Sequence, residues 1–364
     1  MMDLAGRVLW RFPGCFGMAR VLGPSYSLRC VVFHHISPME SPFTSGINVR
    51  TTTKEFEAAL QYLTRHYTPV SLQAVLDDSD GEGLPDRAVL VTFDDAYASV
   101  AEVAAPLCQR YGVPAVFFVN AAFLDNRCLA PDNLVCYVAN TYGMEMVTNA
   151  ARCLQHKGVR EIRSLADVFT KFFPSLTLNE RDEFLAELRR LAGISEGPLA
   201  EKSALYLSAE QLKSLARFDF EIGNHTYTHV HGRSLSPEEF SQEIDRNQAE
   251  LERLSGEKVE AFSQPYGSSK DLTPALADHL KRSGHRAVFL SESTANPRGR
   301  QHYRLDRVNA RTDRDDALFM DLEVLPRLRV VRNRLLGKHW HSVAENNQHE
   351  RFAAKEASTN PEGH

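Results

Sequence analysis

The sequence predicts an α/β protein, a distorted (β/α) barrel carrying a helical insertion. Three observations lead there. Short apolar runs alternate with helical patterns from about residue 28 to residue 310, as strands and crossover helices do in a parallel sheet. Some runs, such as AVLVTF at 88–93, are apolar throughout, which suits strands covered on both faces. Histidines, aspartates and a Pro-Tyr-Gly turn follow directly after the runs, and a barrel gathers its strand ends on one face.

Taken in order, residues 1–27 read as an N-terminal helical segment, in which Arg7, Arg11 and Arg20 break every apolar run short of a signal-peptide core. SLRCVVF (27–33) is the first buried strand. In the stretch TTTKEFEAALQYLTRHY, Thr52 and Glu55 form a capping box, and Phe56, Ala59, Leu60 and Leu63 recur at helical spacing. AVLVTF (88–93) and PAVFFVN (114–120) are the next strands. Residues 124–204 far exceed one crossover, and SLADVFTKFF and LNERDEFLAELRRLAGI are helical patterns, so this segment is expected to be an insertion capping one end of the barrel. FDFEI (218–222) alternates as a strand does. The best-marked helix starts at Ser236, with Pro237 in its first turn, Glu239 completing a capping box and Gly256 stopping it. VEAFS (259–263), HRAVFL (285–290) and YRLDRV (303–308) supply three further strands. The barrel thus comprises 28–123 and 205–310. Residues 311–344 form a basic helical segment, and 345–364 a polar tail expected to be disordered.

Bulk properties exclude some classes of function. A chain of 364 residues with 43% hydrophobic and 24% charged residues is an ordinary globular composition. A net charge of -5 leaves no electrostatic footprint for nucleic acid. The six cysteines show no CxxC pair and read as reduced thiols, which points to a cytoplasmic protein. No run approaches the ~18 uncharged apolar residues of a membrane span. The apolar and basic ends leave two readings open, packing on their own domain or peripheral contact with a membrane.

EIGNHTYTHVHG (221–232) raises the chemical question. His225 and His229 stand four apart and would share a helix face, a spacing that is weak by itself. VTFDDAY, read alone, is two aspartates opening a helix near Ala96, one of them an N-cap. Together, however, one carboxylate and two imidazoles make a three-ligand site with room for water, as catalytic zinc requires. The second carboxylate is then free to take the proton of that water.

Three motifs in order resemble those of the polysaccharide deacetylases, the NodB-homology carbohydrate esterases. TFDDAY resembles their TFDD motif, HTYTH their H-[ST]-x-x-H motif, and FSQPYG the turn that follows. VVFHHIS resembles the strand-end histidine motif of the exopolysaccharide branch. The resemblance implies a barrel of the NodB type and assigns roles. Asp94 is the catalytic base, and Asp95, His225 and His229 hold one divalent metal ion, zinc first, with cobalt, nickel or manganese also compatible. Tyr266 offers its backbone N–H to the oxyanion.

This sequence departs from the family pattern at three places. The glycine after TFDD is Ala96, the arginine of FRPPYG is replaced by Ser263 or Gln264, and no late LxHD motif supplies a histidine to protonate the leaving amine. His34 ranks first as the substitute acid, His302 second and His35 third; the alternative for His34 is a residue that only shapes the pocket. Arg307 is expected either to pair with Asp94 and adjust its pKa or to form a structural ion pair. Thr228 is expected to brace the loop, and His231 to stay solvated at the rim.

The expected activity is metal-dependent removal of N-acetyl groups from an amino-sugar glycan or its lipid-linked precursor. A deformylase or other amidase on a small or lipid-linked sugar is the alternative, and a silent glycan-binding relative is a third. The presence of Asp94, Asp95, His225 and His229 weighs against the last, since a silent relative has no use for a complete set.

Overall fold

The computed structural model describes residues 10, 14–20, 26–78, 83–154, 158, 162–218, 220–297 and 303–336. Its strands are β1 (Tyr26–Phe33), β2 (His35–Ile36), β3 (Arg50–Thr51), β4 (Thr68–Pro69), β5 (Ala88–Phe93), β6 (Ala115–Val119), β7 (Glu221–Asn224), β8 (Ala261–Ser263), β9 (Ala287–Leu290), β10 (Asn296–Pro297) and β11 (Arg304–Val308). Seven of them close a barrel in the order β1, β5, β6, β7, β8, β9, β11 and back to β1. Every pairing round the ring is parallel, from Leu28 opposite Ala88 to the closing pair of Cys30 and Arg307. All seven C-terminal ends therefore open on one face, as in other barrels of this class.

The apolar runs have a simple cause. β5 and β6 are buried at every position. Leu90, Val116, Phe118, Phe289 and Leu305 pack in one cluster inside the barrel, while Val89, Val91, Phe93 and Phe117 join the larger cluster beneath the helices. Strands covered on both sides have no polar face to show.

Helices form where their caps are written. Thr52 and Glu55 cap the Thr53–His66 helix reciprocally, and Ser236 and Glu239 do the same for Pro237–Ser255, which ends at Gly256 in the left-handed conformation. Between β6 and β7 the chain forms further helices, among them Pro131–Tyr142, Met144–Cys153 and Leu178–Ala192. The C-terminal segment is tied to the outside of β1. Arg29, Arg327 and the Tyr67 hydroxyl converge on the buried Glu323 carboxylate at 2.7–3.1 Å.

Two local expectations are corrected. The strand expected at 218–222 runs instead from Glu221 to Asn224, because the Ala209–Arg217 helix ends into Phe218, which is 58% exposed. No helix starts near Ala96. The first helical turn after β5 begins at Val100 behind Ser99, so neither Asp94 nor Asp95 is a cap. His302 and the tail 345–364 lie outside the described residues.

Candidate active site

Each barrel strand hands one or more polar residues to the open face. His34 follows β1, Asp94 and Asp95 follow β5, His225 follows β7, and the Pro265–Gly267 turn follows β8. With Arg307 of β11 they line a single cavity of about 290 Å³, which also takes in Asp132 and Phe169 from the stretch between β6 and β7. Of the expected acids, His34 lines this cavity and His35 does not. His35 instead sits 3.1 Å from Ser99 Oγ, and burial, helped by Arg50, lowers its pKa to about 4.

The loops that carry these side chains are held in an unusual backbone conformation. Asp95, Ala96, Thr226, His229 and Tyr266 all have φ between 54° and 73°, the left-handed region that costs a residue with a Cβ on the order of 1–2 kcal/mol. Strain of this kind collects at functional sites when the surroundings over-determine it. Ala96 stands where the resembling motif has glycine, and its φ of 57° shows why glycine suits the place. The Pro-Tyr-Gly turn keeps its glycine for a second reason. Gly267 has φ +66°, and a Cβ there would lie 2.4 Å from Ser291 Cβ.

His225 and His229 meet through this loop and not along a helix face, since no helix covers them. Their ring nitrogens are assigned by their partners. His225 Nδ1 lies 2.8 Å from Ser263 O, which can only accept, so the proton sits on Nδ1 and Nε2 carries the free lone pair. His229 Nδ1 lies 2.8 Å from Asp132 Oδ2, which holds a proton on Nδ1 and leaves Nε2 to face Asp95, open to a metal once it gives up its own proton. The two Nε2 atoms stand 3.3 and 3.4 Å from Asp95 Oδ1. These three residues form the group able to hold a metal ion among the described residues, with ligand atoms within 4.8 Å of one another. Tetrahedral zinc with bonds of about 2.0–2.1 Å puts ligand atoms about 3.4 Å apart, so the donor set fits a divalent ion.

The charges are mutually adjusted. Burial pushes the Asp95 carboxyl up, but His229, His225 and His34 outweigh it and hold it well below the usual carboxylate range. Burial would lower His229, yet Asp95 and Asp132 raise it to about 9 in the metal-free chain. Burial also opposes ionisation of Asp94, and Arg307 and His225 overcome it. Arg307 is 1% exposed and grips both Asp94 oxygens at 2.7 Å, while donating to Ser263 Oγ at 2.8 Å. Ser263, one of the two residues offered as replacing the single arginine of the resembling motif, accepts from this guanidinium, which reaches Asp94 from β11. Arg307 thus pairs with Asp94 in one bidentate contact. His34, partly buried, has its pKa lowered chiefly by burial, against the pull of Asp95 and Asp94.

Around this centre, Thr228 does brace the loop. It is bonded to Glu243 through its N–H at 2.7 Å and its hydroxyl at 3.1 Å. His231 is not a solvated rim residue. It is 6% exposed, its Nε2 lies 3.0 Å from Phe169 O, and its ring stacks on Tyr266 with centroids 3.5 Å apart. Asp132, Asn133 and Phe169 escaped the sequence reading. "APDNL" shows Pro and Asp in a first helical turn, which any surface helix uses, so no local signal marked them.

The parallel barrel gathers aspartates and histidines at its strand ends, and similarity to known proteins identifies the family. The chain belongs to the polysaccharide deacetylase family, whose profile matches residues 81–288. YxkH of Bacillus subtilis (strain 168), assigned by name to the polysaccharide deacetylases, is 31% identical over 94 residues, covering 25% of this chain and 31% of that protein. The chain thus matches about a third of the length of this curated relative. Among solved structures, the Streptococcus pyogenes deacetylase PplD in complex with acetate superposes with a TM-score of 0.54 at 15% identity, covering 82% of this chain and 99% of that one. IcaB from Ammonifex degensii gives 0.52 at 19% identity, covering 82% and 98%. A de-N-acetylase from Aggregatibacter actinomycetemcomitans gives 0.52 at 17%, covering 79% and 96%. These likenesses establish the fold.

Proposed function

We propose that this protein is a metal-dependent N-deacetylase acting on an amino-sugar glycan or its lipid-linked precursor. The observation that carries the reading is the meeting of Asp94, Asp95, His225, His229, His34 and Tyr266 around one cavity. Asp95, His225 and His229 would hold the ion, zinc first by ligand type. When bound, a divalent ion of this kind supplies an acidified water and polarises the acyl oxygen.

The chain's own groups do the rest. Asp94, held as the carboxylate by Arg307, accepts the proton of the attacking water as the C–O bond forms. Tyr266, in a turn at the cavity wall, would offer its backbone N–H to the charge that develops on the acyl oxygen. His34 gives a proton to the sugar nitrogen as the C–N bond breaks, so that acetate and the free amine leave. Burial lowers the His34 pKa, so the imidazole gains its proton within the reaction, from the water that Asp94 deprotonates, and passes it to the nitrogen.

The cavity bears on the substrate. Its 290 Å³ is at the lower end of the roughly 300–1,000 Å³ of small-molecule pockets, the space of roughly ten waters. That suits one N-acylated sugar unit, at a chain end or on a lipid-linked precursor. A formyl group would fit as well, which keeps deformylation as the alternative. Among the described residues no helix is long and apolar enough to cross a membrane.

The deciding experiment is acetate release from N-acetylated amino-sugar monomers, oligomers and polymers, with and without a chelator, beside Asp94→Asn and His225→Ala. Loss on chelation, recovery with zinc or cobalt and inactivity of both variants are the expected results. Formate release from N-formyl sugars, with no acetate from any substrate, would replace the reading with the deformylase.

A further inference from the structure

We infer that Asp132, carried by the helical stretch between β6 and β7 and not by the barrel, is a positioning residue of the metal centre. One carboxylate fixes a metal ligand and the oxyanion turn together. The inference rests on the reading of Asp95, His225 and His229 as metal ligands.

Asp132 uses both of its oxygens. Oδ2 accepts from His229 Nδ1 at 2.8 Å, and the Tyr266 hydroxyl donates to Oδ1 at 2.9 Å, with Oδ2 at 3.2 Å. His225 and His229 are therefore oriented differently. The former leans on a neutral backbone carbonyl, the latter on a full negative charge. A carboxylate behind a ligating imidazole fixes its tautomer and raises its basicity as a ligand.

Tyr266 needs the same anchor. It holds φ 60° and ψ -1°, a strained conformation for an aromatic residue. Its ring is trapped between His231 and His229, with centroids 3.5 and 4.7 Å away. The hydrogen bond to Asp132 closes the remaining freedom of the phenol end. The backbone N–H assigned to the oxyanion and the metal ligand His229 are thus referred to one point.

Asp132 is itself held firmly. It lies in the first turn of the Pro131–Tyr142 helix. Ala130 N donates to Tyr206 Oη at 2.8 Å, and Asn133 is bonded to Tyr97 Oη at 3.0 Å and to Tyr206 Oη at 2.6 Å. Tyr97 lies in the loop after β5 that also carries Asp94 and Asp95. A second strut runs from the Leu178–Ala192 helix, where Arg181 donates to Thr228 Oγ1 at 3.3 Å between the two ligand histidines. The helical stretch is thereby part of the site's scaffold and not only its lid.

The test is the zinc affinity of the full-length protein, measured by competition with a metal indicator, for wild type, Asp132→Ala, Asp132→Asn and Tyr266→Phe. Asp132→Ala is expected to bind zinc about 10–100-fold more weakly. Asp132→Asn, which still accepts from His229 but lacks the charge, should fall between it and wild type and shift the visible bands of the cobalt-loaded protein. Tyr266→Phe should keep wild-type affinity and lose kcat. Folded Asp132→Ala and Asp132→Asn proteins that bind zinc within twofold of wild type would overturn the inference. If Asp132→Ala does not fold, the near-isosteric Asn variant decides alone. A wild-type protein that takes up neither zinc nor cobalt would instead remove the metal-site reading itself, a result readily told apart from the first.

Discussion

The barrel rim and the helical stretch between β6 and β7 reach the same cavity by different routes. The rim delivers His34, Asp94, Asp95 and His225 from strand ends, each fixed by the parallel ladder beneath it. The helical stretch delivers Asp132, Asn133 and Phe169 from helices outside the ring of strands, anchored by side chains such as Tyr206 and Asn133 and by one backbone bridge of Tyr206 with Tyr97. The difference is one of task. Strand pairing places the proposed reacting groups, while side-chain contacts from the added helices bear on their orientation and on the size of the space.

Substitutions on the two regions should therefore fail in different ways. His34→Gln, on the rim, is expected to cut kcat by roughly 10²–10⁴-fold. Because His34 stands outside the proposed ligand set, zinc affinity should be unchanged, and a parallel loss of metal would place His34 in the metal site instead. Arg307→Met breaks a buried pair, which typically costs about 3–5 kcal/mol, to be read from denaturant midpoints. The same substitution carries a pH signature. Burial raises the Asp94 pKa and Arg307 is the leading influence that lowers it, so its removal lets burial win. A base works only when deprotonated, so the acid limb of kcat/KM should move to higher pH. An unmoved limb would leave Arg307 a purely structural partner.

Effects in the helical stretch should appear in selectivity. Phe169→Ala opens the cavity wall, and the ratio of kcat/KM for a trimer to that for a monomer should rise severalfold. A ratio that stays constant would show that Phe169 does not limit substrate length. The smallest effect concerns Ala96. Replacing it with glycine relieves a left-handed Cβ at some cost in chain entropy, a net gain of about 0.5–1 kcal/mol. Thermal unfolding would detect it, and a lowered Tm would mean that the Ala96 methyl packs too well to lose.

Much of the rim was legible because its signals are local. Apolar runs mark strands, and a polar residue just after a run lies at a strand end, so the parallel barrel brings His34, Asp94, His225 and Tyr266 together. Local signals also misled. FDFEI alternates although Phe218 belongs to a helix end, and the spacing of His225 and His229 suggests a helix where a loop with left-handed residues does the work. His231 looked solvated because nothing nearby in sequence reveals the Tyr266 ring against it.

By itself, then, the sequence determined which segments pair as strands, which helices are capped, and which residue types stand at the strand ends, because each depends on neighbours a few positions away. Only the tertiary structure decided that Arg307 holds Asp94, that Asp132 holds His229 and Tyr266, and that Phe169 walls the cavity. Those contacts join positions far apart in the chain, such as Asp94 and Arg307 with a separation of 213 residues, and no local period or spacing encodes the distance between them.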